Sequence, residues 1–253
     1  MTDVARPAID GLRALYPAPA WALGSTPPGD AEFLLAMVTQ QAPVTVVELG
    51  VAAGVSSAVL LYSLDTLPEI AGGRVLHSCD VQPSCYFDAE RATGGATATM
   101  YPRPRAAWNL DTNTDARRLA SKLPPASVDL TFIDANHFHP WPLLDLLHMT
   151  AVAKPGSWVI LHDTNLPIVN PACQASGAKW LFDEWPFEKR LGGEPRHNIG
   201  AVKLPEEFAH LVPFASELVE RSWEFAPTLW HVGLPTWFHE VQELVERQIT
   251  RVA

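Results

Sequence analysis

The sequence predicts an open, doubly wound α/β sheet of mostly parallel strands, Rossmann-like in plan, and three observations carry that reading. Short apolar, β-branched runs alternate with helical stretches through the middle of the chain, the pattern that gives parallel strands joined by right-handed helical crossovers. A small-residue loop, Gly50 to Gly54, follows the first of those runs. Finally, Glu48, Asp80, Asp134 and Asp163 each stand at or just beyond the carboxyl end of a predicted strand. Ligands on such sheets bind beyond that edge. Any one of these acids would pass as a helix cap or turn residue; all of them together converge on one rim.

The 253 residues fit a single domain spanning 1–253. Its parts are a helical extension (1–42), a core (43–204) and a C-terminal helical segment (205–253). The hydrophobic share of 47% and charged share of 18% are those of a folded soluble protein. A net charge of −10 argues against a nucleic-acid backbone as partner. No apolar run approaches the roughly 20 residues that span a bilayer, and the N-terminus does not read as a signal peptide. Cys79, Cys85 and Cys173 form no C-x-x-C pair, so a disulfide framework and a cysteine zinc site are both poor readings, and a reducing cytoplasm is the default.

Taken in order, Asp30 is placed to cap a helix through Ala31–Val38. Val44–Leu49 suits a strand buried on both faces, and Ser56 or Ser57 leads into the apolar helix Ala58–Tyr62. Arg74–Cys79 is a second strand closing on Asp80, and Trp108–Thr112 a third; the stretch 93–104 has no clear assignment. Thr114 or Asp115 caps a helix over Ala116–Leu123. Val128–Ile133 is the clearest strand, ending at Asp134. Pro142 opens a helix through Met149, a good position for proline. Lys154-Pro155-Gly156 turns the chain into the strand Trp158–Leu161, ending at His162-Asp163. The segment 164–197, rich in Pro, Gly and Trp, reads as a lid or acceptor-binding element with a short helix at Ala178–Trp185. Asn198–Leu204 is a late strand. Trp237, Phe238, Val241, Leu244, Val245, Ile249 and Val252 recur at helical spacing and predict a closing amphipathic helix.

In Glu48-Leu49-Gly50-Val51-Ala52-Ala53-Gly54-Val55-Ser56 the small residues let a backbone approach a ligand and turn sharply into a helix. A dinucleotide loop would read G-x-G-x-x-G; here the glycines are four apart with Ala52 between them. The stretch resembles the first motif of class I S-adenosylmethionine (SAM)-dependent methyltransferases, and within them the catechol O-methyltransferase-like branch. That resemblance implies that Gly50, Ala52 and Gly54 pack against the methionine part of SAM. It places Ser56 at the SAM carboxylate and Glu48 near its amino group. Asp80 matches the acid that takes both ribose hydroxyls, since two adjacent donors need two adjacent acceptors. Asp115-Ala116 resembles the step beside the adenine, with Thr114 where a glycine is usual.

Phe132-Ile133-Asp134-Ala135-Asn136-His137 and Val159-Ile160-Leu161-His162-Asp163-Thr164 resemble segments of a methyltransferase group common in small-molecule and natural-product pathways. The resemblance covers roughly residues 30 to 165. In the metal-dependent members, acids at these two strand ends hold Mg²⁺, which lowers the pKa of an acceptor hydroxyl. Asp134 and Asp163 fit that role. The third ligand is open: Thr164 stands where catechol-type enzymes carry Asn, and His162 where sugar-modifying relatives carry an acid. His162 would suit a softer ion such as Mn²⁺, Fe²⁺ or Zn²⁺. Some relatives carry a His three residues after the first ligand, and by that resemblance His137 would be the general base, with an ordinary pKa of about 6.5; His139 is a second candidate. In a metal-free mechanism His137 or Asp134 alone would take the proton.

Trp141, Trp180, Trp185 and Trp237 read as core or subunit contacts, with an aromatic acceptor pocket as the alternative, which leaves a homo-oligomer open, and Glu240, Glu243 and Glu246 as a solvated face. The expected function is methyl transfer from SAM to a hydroxyl of a small molecule such as a sugar or polyketide. The acceptor would be the partner, with neither nucleic acid nor membrane. The alternatives are a hydroxylase built on the same fold and a non-catalytic nucleotide-binding module.

Overall fold

A computed structural model of the chain describes residues 6–193 and 195–224, together with 247, 250 and 251. The predicted helix from Trp237 to Val252 lies outside the described residues, apart from those last three positions.

A seven-stranded sheet forms the centre. Its strands are β1 (Thr45–Leu49), β2 (Val75–Asp80), β5 (Ala107–Thr112), β6 (Val128–Ile133), β7 (Ala153–His162), β8 (Lys189–Gly192) and β9 (Ile199–Lys203), in the order β5-β2-β1-β6-β7-β9-β8. The first five are parallel neighbours; β9 pairs antiparallel with β7 and β8 with β9. Strand order reverses between β1 and β6, the place where open sheets gather ligands. A separate hairpin, β3 (Ser84–Cys85) and β4 (Asp88–Ala92), follows β2.

Helices α1 (Arg6–Arg13), α2 (Pro28–Gln41), α3 (Val55–Asp65) and α4 (Thr97–Met100) precede β5; α5 (Ala116–Ala120), α6 (Trp141–Met149), α7 (Leu166–Val169), α8 (Gly177–Asp183) and α9 (Val212–Val219) follow it. Alternate residues of the strands feed two cores. Val46, Leu130 and Phe132 pack with Leu34, Leu60 and Leu61 of α2 and α3. Val47, Leu49 and Ile133 pack with Leu143, Leu147 and Leu181 of α6 and α8. Side chains this completely buried each contribute about 1.5–3 kcal/mol of transfer free energy. Burial on both faces explains why β1 and β6 read as continuous apolar runs.

Two local expectations are corrected. Helix α2 begins at Pro28 with Pro27 in the cap position, so Asp30 lies in the first turn and is not the cap. Lys154-Pro155-Gly156 is not a turn before β7 but an irregularity within it: pairing passes from Val128–Ala153 to Leu130–Trp158, and Gly156 takes φ +70. The segment 164–197 contributes the edge strand β8, whose Gly192 packs so tightly on Phe33 of α2 that a Cβ would lie 1.9 Å from the ring. No helix among the described residues is long and apolar enough to cross a membrane.

Candidate functional site

The loop between β1 and α3 is shaped by its protein neighbours. Gly50 (φ +86) sits against the backbone of Asp134, where a Cβ would lie 2.2 Å from the carbonyl oxygen. Gly54 (φ +87) faces Gly94 and Thr97, and the Thr97 hydroxyl donates to its carbonyl at 2.9 Å. The demand for small residues at these two positions is therefore met within the chain. Ala52 adopts φ +46, and its carbonyl accepts from Gly94 N–H. Gly50, Ala52 and Gly54 thus line one turn.

Glu48 points inward. It has no exposed surface, and its oxygens accept from Ser56, Ser57 and Ser78 hydroxyls, each at 2.6 Å; Trp108 Nε1 donates to Ser78 at 2.9 Å. Burial pushes the carboxyl up to about 7, partly offset by those hydroxyls. In this arrangement Glu48 and Ser56 satisfy each other. Asp80 is partly committed as well. Its Oδ2 accepts from Val51 and Ala52 N–H at 3.0 Å, and its Oδ1 from Gln82 N–H at 2.9 Å. With two acceptor positions per oxygen, only Oδ1 retains capacity for a ribose hydroxyl, so the two-oxygen contact expected from the sequence is not free here. Asp115 caps α5, its carboxylate accepting from Arg118 N–H at 2.8 Å, and Ala116 is buried behind it.

At the ends of β6 and β7 the acids converge as anticipated, and around two imidazoles. His162 Nδ1 lies 3.1 Å from Asp134 Oδ1 and 3.4 Å from Asp163 Oδ1. His137 Nε2 lies 3.0 Å from Asp163 Oδ2. Burial would lower both imidazole pKa values, but the adjoining carboxylates outweigh it and hold both above the ordinary range, His162 well above. Burial alone would raise the Asp163 carboxyl, yet the two imidazoles hold it far below the usual carboxylate range. Asp163 itself adopts φ +59, an uncommon conformation for a non-glycine residue.

Asp134, His162 and Asp163 offer three ligand atoms within 4.8 Å of one another, a set able to hold a metal ion. The fit can be tested on the geometry. His162 Nδ1 is buried and makes no hydrogen bond, although two carboxylate oxygens face it; the short distances lack hydrogen-bond angles. Its separations from those oxygens are close to the edge of about 3 Å in an octahedron with bonds of about 2.1 Å. Two carboxylates and an imidazole suit Mn²⁺, Fe²⁺ or Zn²⁺ better than Mg²⁺, which favours oxygen alone.

Other neighbours were not legible beforehand. Asn198, at the start of β9, donates to Asp163 Oδ1 at 2.6 Å, its own Oδ1 being taken by Asn165 N–H. The Thr164 hydroxyl points to the His197 carbonyl. Asp30 of α2 reaches His162 Nε2 at 3.0 Å. Tyr86, on the β3–β4 turn, is exposed, and after partial burial the carboxylates of Asp134 and Asp163 push its phenol pKa up. His139 is fully buried against Trp180 at 5.3 Å, and burial with the Arg221 charge holds it down at about 4. That excludes His139 as a solvent-side base. The backbone of the His137 loop is fixed by Gly177, which donates to the His137 carbonyl at 2.9 Å, and by Glu224, which accepts from His139 N–H at 2.9 Å.

Comparison with known proteins agrees with this architecture. Residues 47–164 match the family model of a methyltransferase domain. The O-methyltransferase TomG of Streptomyces achromogenes, solved with SAM, superposes with a TM-score of 0.52 at 13% identity over 80% of this chain and 91% of its own. The SAH-bound methyltransferase PaMTH1 of Podospora anserina gives 0.52 at 10% identity over 79% and 88%. The cofactor-bound protein Rv0187 from MTB gives 0.51 at 15% over 79% and 88%. No curated protein matches the chain. Residues 47–164 thus match a methyltransferase domain, carried on a Rossmann-like fold of mostly parallel strands.

Proposed function

We propose that this enzyme moves the methyl group of SAM to a hydroxyl of a small molecule, with a divalent cation held by Asp134, His162 and Asp163. The observation that carries the reading is the buried, unbonded His162 Nδ1 facing the Asp134 and Asp163 carboxylates at the edge where Gly50 abuts Asp134. SAM in TomG and SAH in PaMTH1, on the same fold, support the choice of methyl donor.

When bound, the cation lowers the pKa of the acceptor hydroxyl. The remaining work falls to side chains. Asp163 fixes His137 through Nε2 and leaves Nδ1 to accept the hydroxyl proton, the role of a carboxylate-oriented imidazole base. The neighbouring carboxylates make that imidazole a stronger base. Asn198 holds Asp163 from behind. Asp80 Oδ1 would offer one acceptor to the ribose, and the turn at Gly50, Ala52 and Gly54 would hold the methionine part of SAM. A natural-product acceptor and a cytoplasmic setting complete the proposal; all three cysteines are free thiols.

The test is label transfer from methyl-labelled SAM across a panel of hydroxylated acceptors, with chelated enzyme and with Mn²⁺ or Mg²⁺ restored. Transfer to oxygen that falls on chelation and returns with the ion is the expected result. Activity indifferent both to chelation and to Asp163→Ala would remove the metal from the scheme. Oxygen-dependent turnover without label transfer would favour the hydroxylase alternative. That alternative has less support, because iron oxygenases use two imidazoles and one carboxylate, whereas the set here has one imidazole and two carboxylates.

A further inference from the structure

His162 is approached from both sides of its ring by carboxylates that are far apart in sequence. Nδ1 faces Asp134 and Asp163, while Nε2 lies 3.0 Å from Oδ2 of Asp30, a residue of the N-terminal helix α2. Both partners are buried, Asp30 at 2% exposure and His162 at 6%. A buried carboxylate is costly unless paired and hydrogen-bonded. The Asp30 side chain spends its hydrogen bond on His162 and not on the open N–H groups of its own helix. Its other oxygen is closely covered: a Cβ at Gly193 (φ +72) would lie 2.2 Å from Oδ1. Oδ2 is thereby held on the imidazole.

We propose that Asp30 is the positioning residue for His162. By accepting the Nε2 proton it would leave Nδ1, once a cation displaces its proton, to give its lone pair between Asp134 and Asp163. An imidazole that binds a cation through one nitrogen needs its other N–H held by an acceptor, and loss of that acceptor costs about 10–100-fold in metal affinity. The inference rests on the metal site proposed above and extends it to the N-terminal extension. A helix outside the matched domain 47–164 would thus complete the site.

Mn²⁺ binding to the full chain, followed by electron paramagnetic resonance without donor or acceptor, tests this. Asp30→Ala is expected to weaken Mn²⁺ by about tenfold or more. Asp30→Asn, which retains an acceptor oxygen, should recover part of that loss. SAM affinity by calorimetry should stay within about twofold of the parent for both variants. The proposal is overturned if both variants bind Mn²⁺ like the parent, or if Mn²⁺ and SAM affinities fall together, as a merely structural role would require. If Asp30→Ala does not fold, Asp30→Asn decides alone: weaker Mn²⁺ with SAM binding intact supports the proposal, and parity with the parent refutes it. Absence of Mn²⁺ binding in the parent protein removes the metal site and this role with it. Binding in the parent that Asp163→Ala abolishes and Asp30→Ala leaves intact removes only the role of Asp30.

Discussion

Replacing Glu48 by Gln changes one charge in the most enclosed part of the sheet and should change how stability depends on pH. Glu48 has no exposed surface and three serine hydroxyls around it, and burial raises its carboxyl from 4.5 to about 7. In the unfolded chain the group titrates near its ordinary value. Below that pH both states hold the proton, and the group has no differential effect. Between the two values the folded protein keeps a proton that the unfolded chain has released, so stability falls as pH rises. Above about 7 both states are ionised and the full penalty remains, about 3 kcal/mol for a shift of this size. Gln cannot ionise, and the serine hydroxyls can rotate to accept from its amide. Urea unfolding of parent and variant at pH 5 and pH 8 measures the effect. The stability of Glu48→Gln relative to the parent should rise by about 2–3 kcal/mol from the lower pH to the higher. Parallel pH profiles, within about 0.5 kcal/mol, would mean that Glu48 stays ionised in the fold and that the enclosed reading of β1 is wrong.

Further consequences follow from the same geometry. Gly54→Ala would place a Cβ 2.3 Å from Thr97 Oγ1 at φ +87 and should cost about 1–3 kcal/mol in chemical denaturation; an unchanged midpoint would contradict the packed turn. His137→Gln should lower kcat by about 10²–10⁴-fold with SAM affinity unchanged, as for loss of a general base, and full activity would exclude His137 from proton transfer. Asp80→Ala should both loosen the turn, through loss of the Val51 and Ala52 bonds, and weaken SAM by about tenfold or more in calorimetry, since bonds to a charged acceptor are worth about 1.5–3 kcal/mol. Wild-type affinity in that variant would remove Asp80 from the donor site.

Strands buried on both faces were the most legible elements, because β1, β6 and the end of β7 must be apolar along their whole length to sit between two helical layers. The hairpin of β3 and β4 was hidden. Its residues are polar and largely exposed, so no apolar alternation marks them. The convergence of Asp134 and Asp163 followed from strand ends alone, while His162 entered the set through the family resemblance. The direction of Glu48 did not: β1 pairs Glu48 with Ser78 on one side and Phe132 on the other, that register brings Ser78 to its carboxylate, and α3 brings Ser56 and Ser57. Asp30 was disguised by its place in a first helical turn, where acids are common for dipole reasons. Its contact with His162 spans 132 residues, and such pairings leave no local signal. Asn198 was invisible for the same reason, since antiparallel β9 returns beside β7 from beyond two intervening helices and a strand.

The central claim is that the turn after β1 and the ends of β2 and β6 receive SAM rather than a dinucleotide. Calorimetric titration of the purified protein with SAM and, separately, with NAD addresses it most directly. Saturable heat with SAM and none with NAD is predicted; saturation by NAD with indifference to SAM would contradict it.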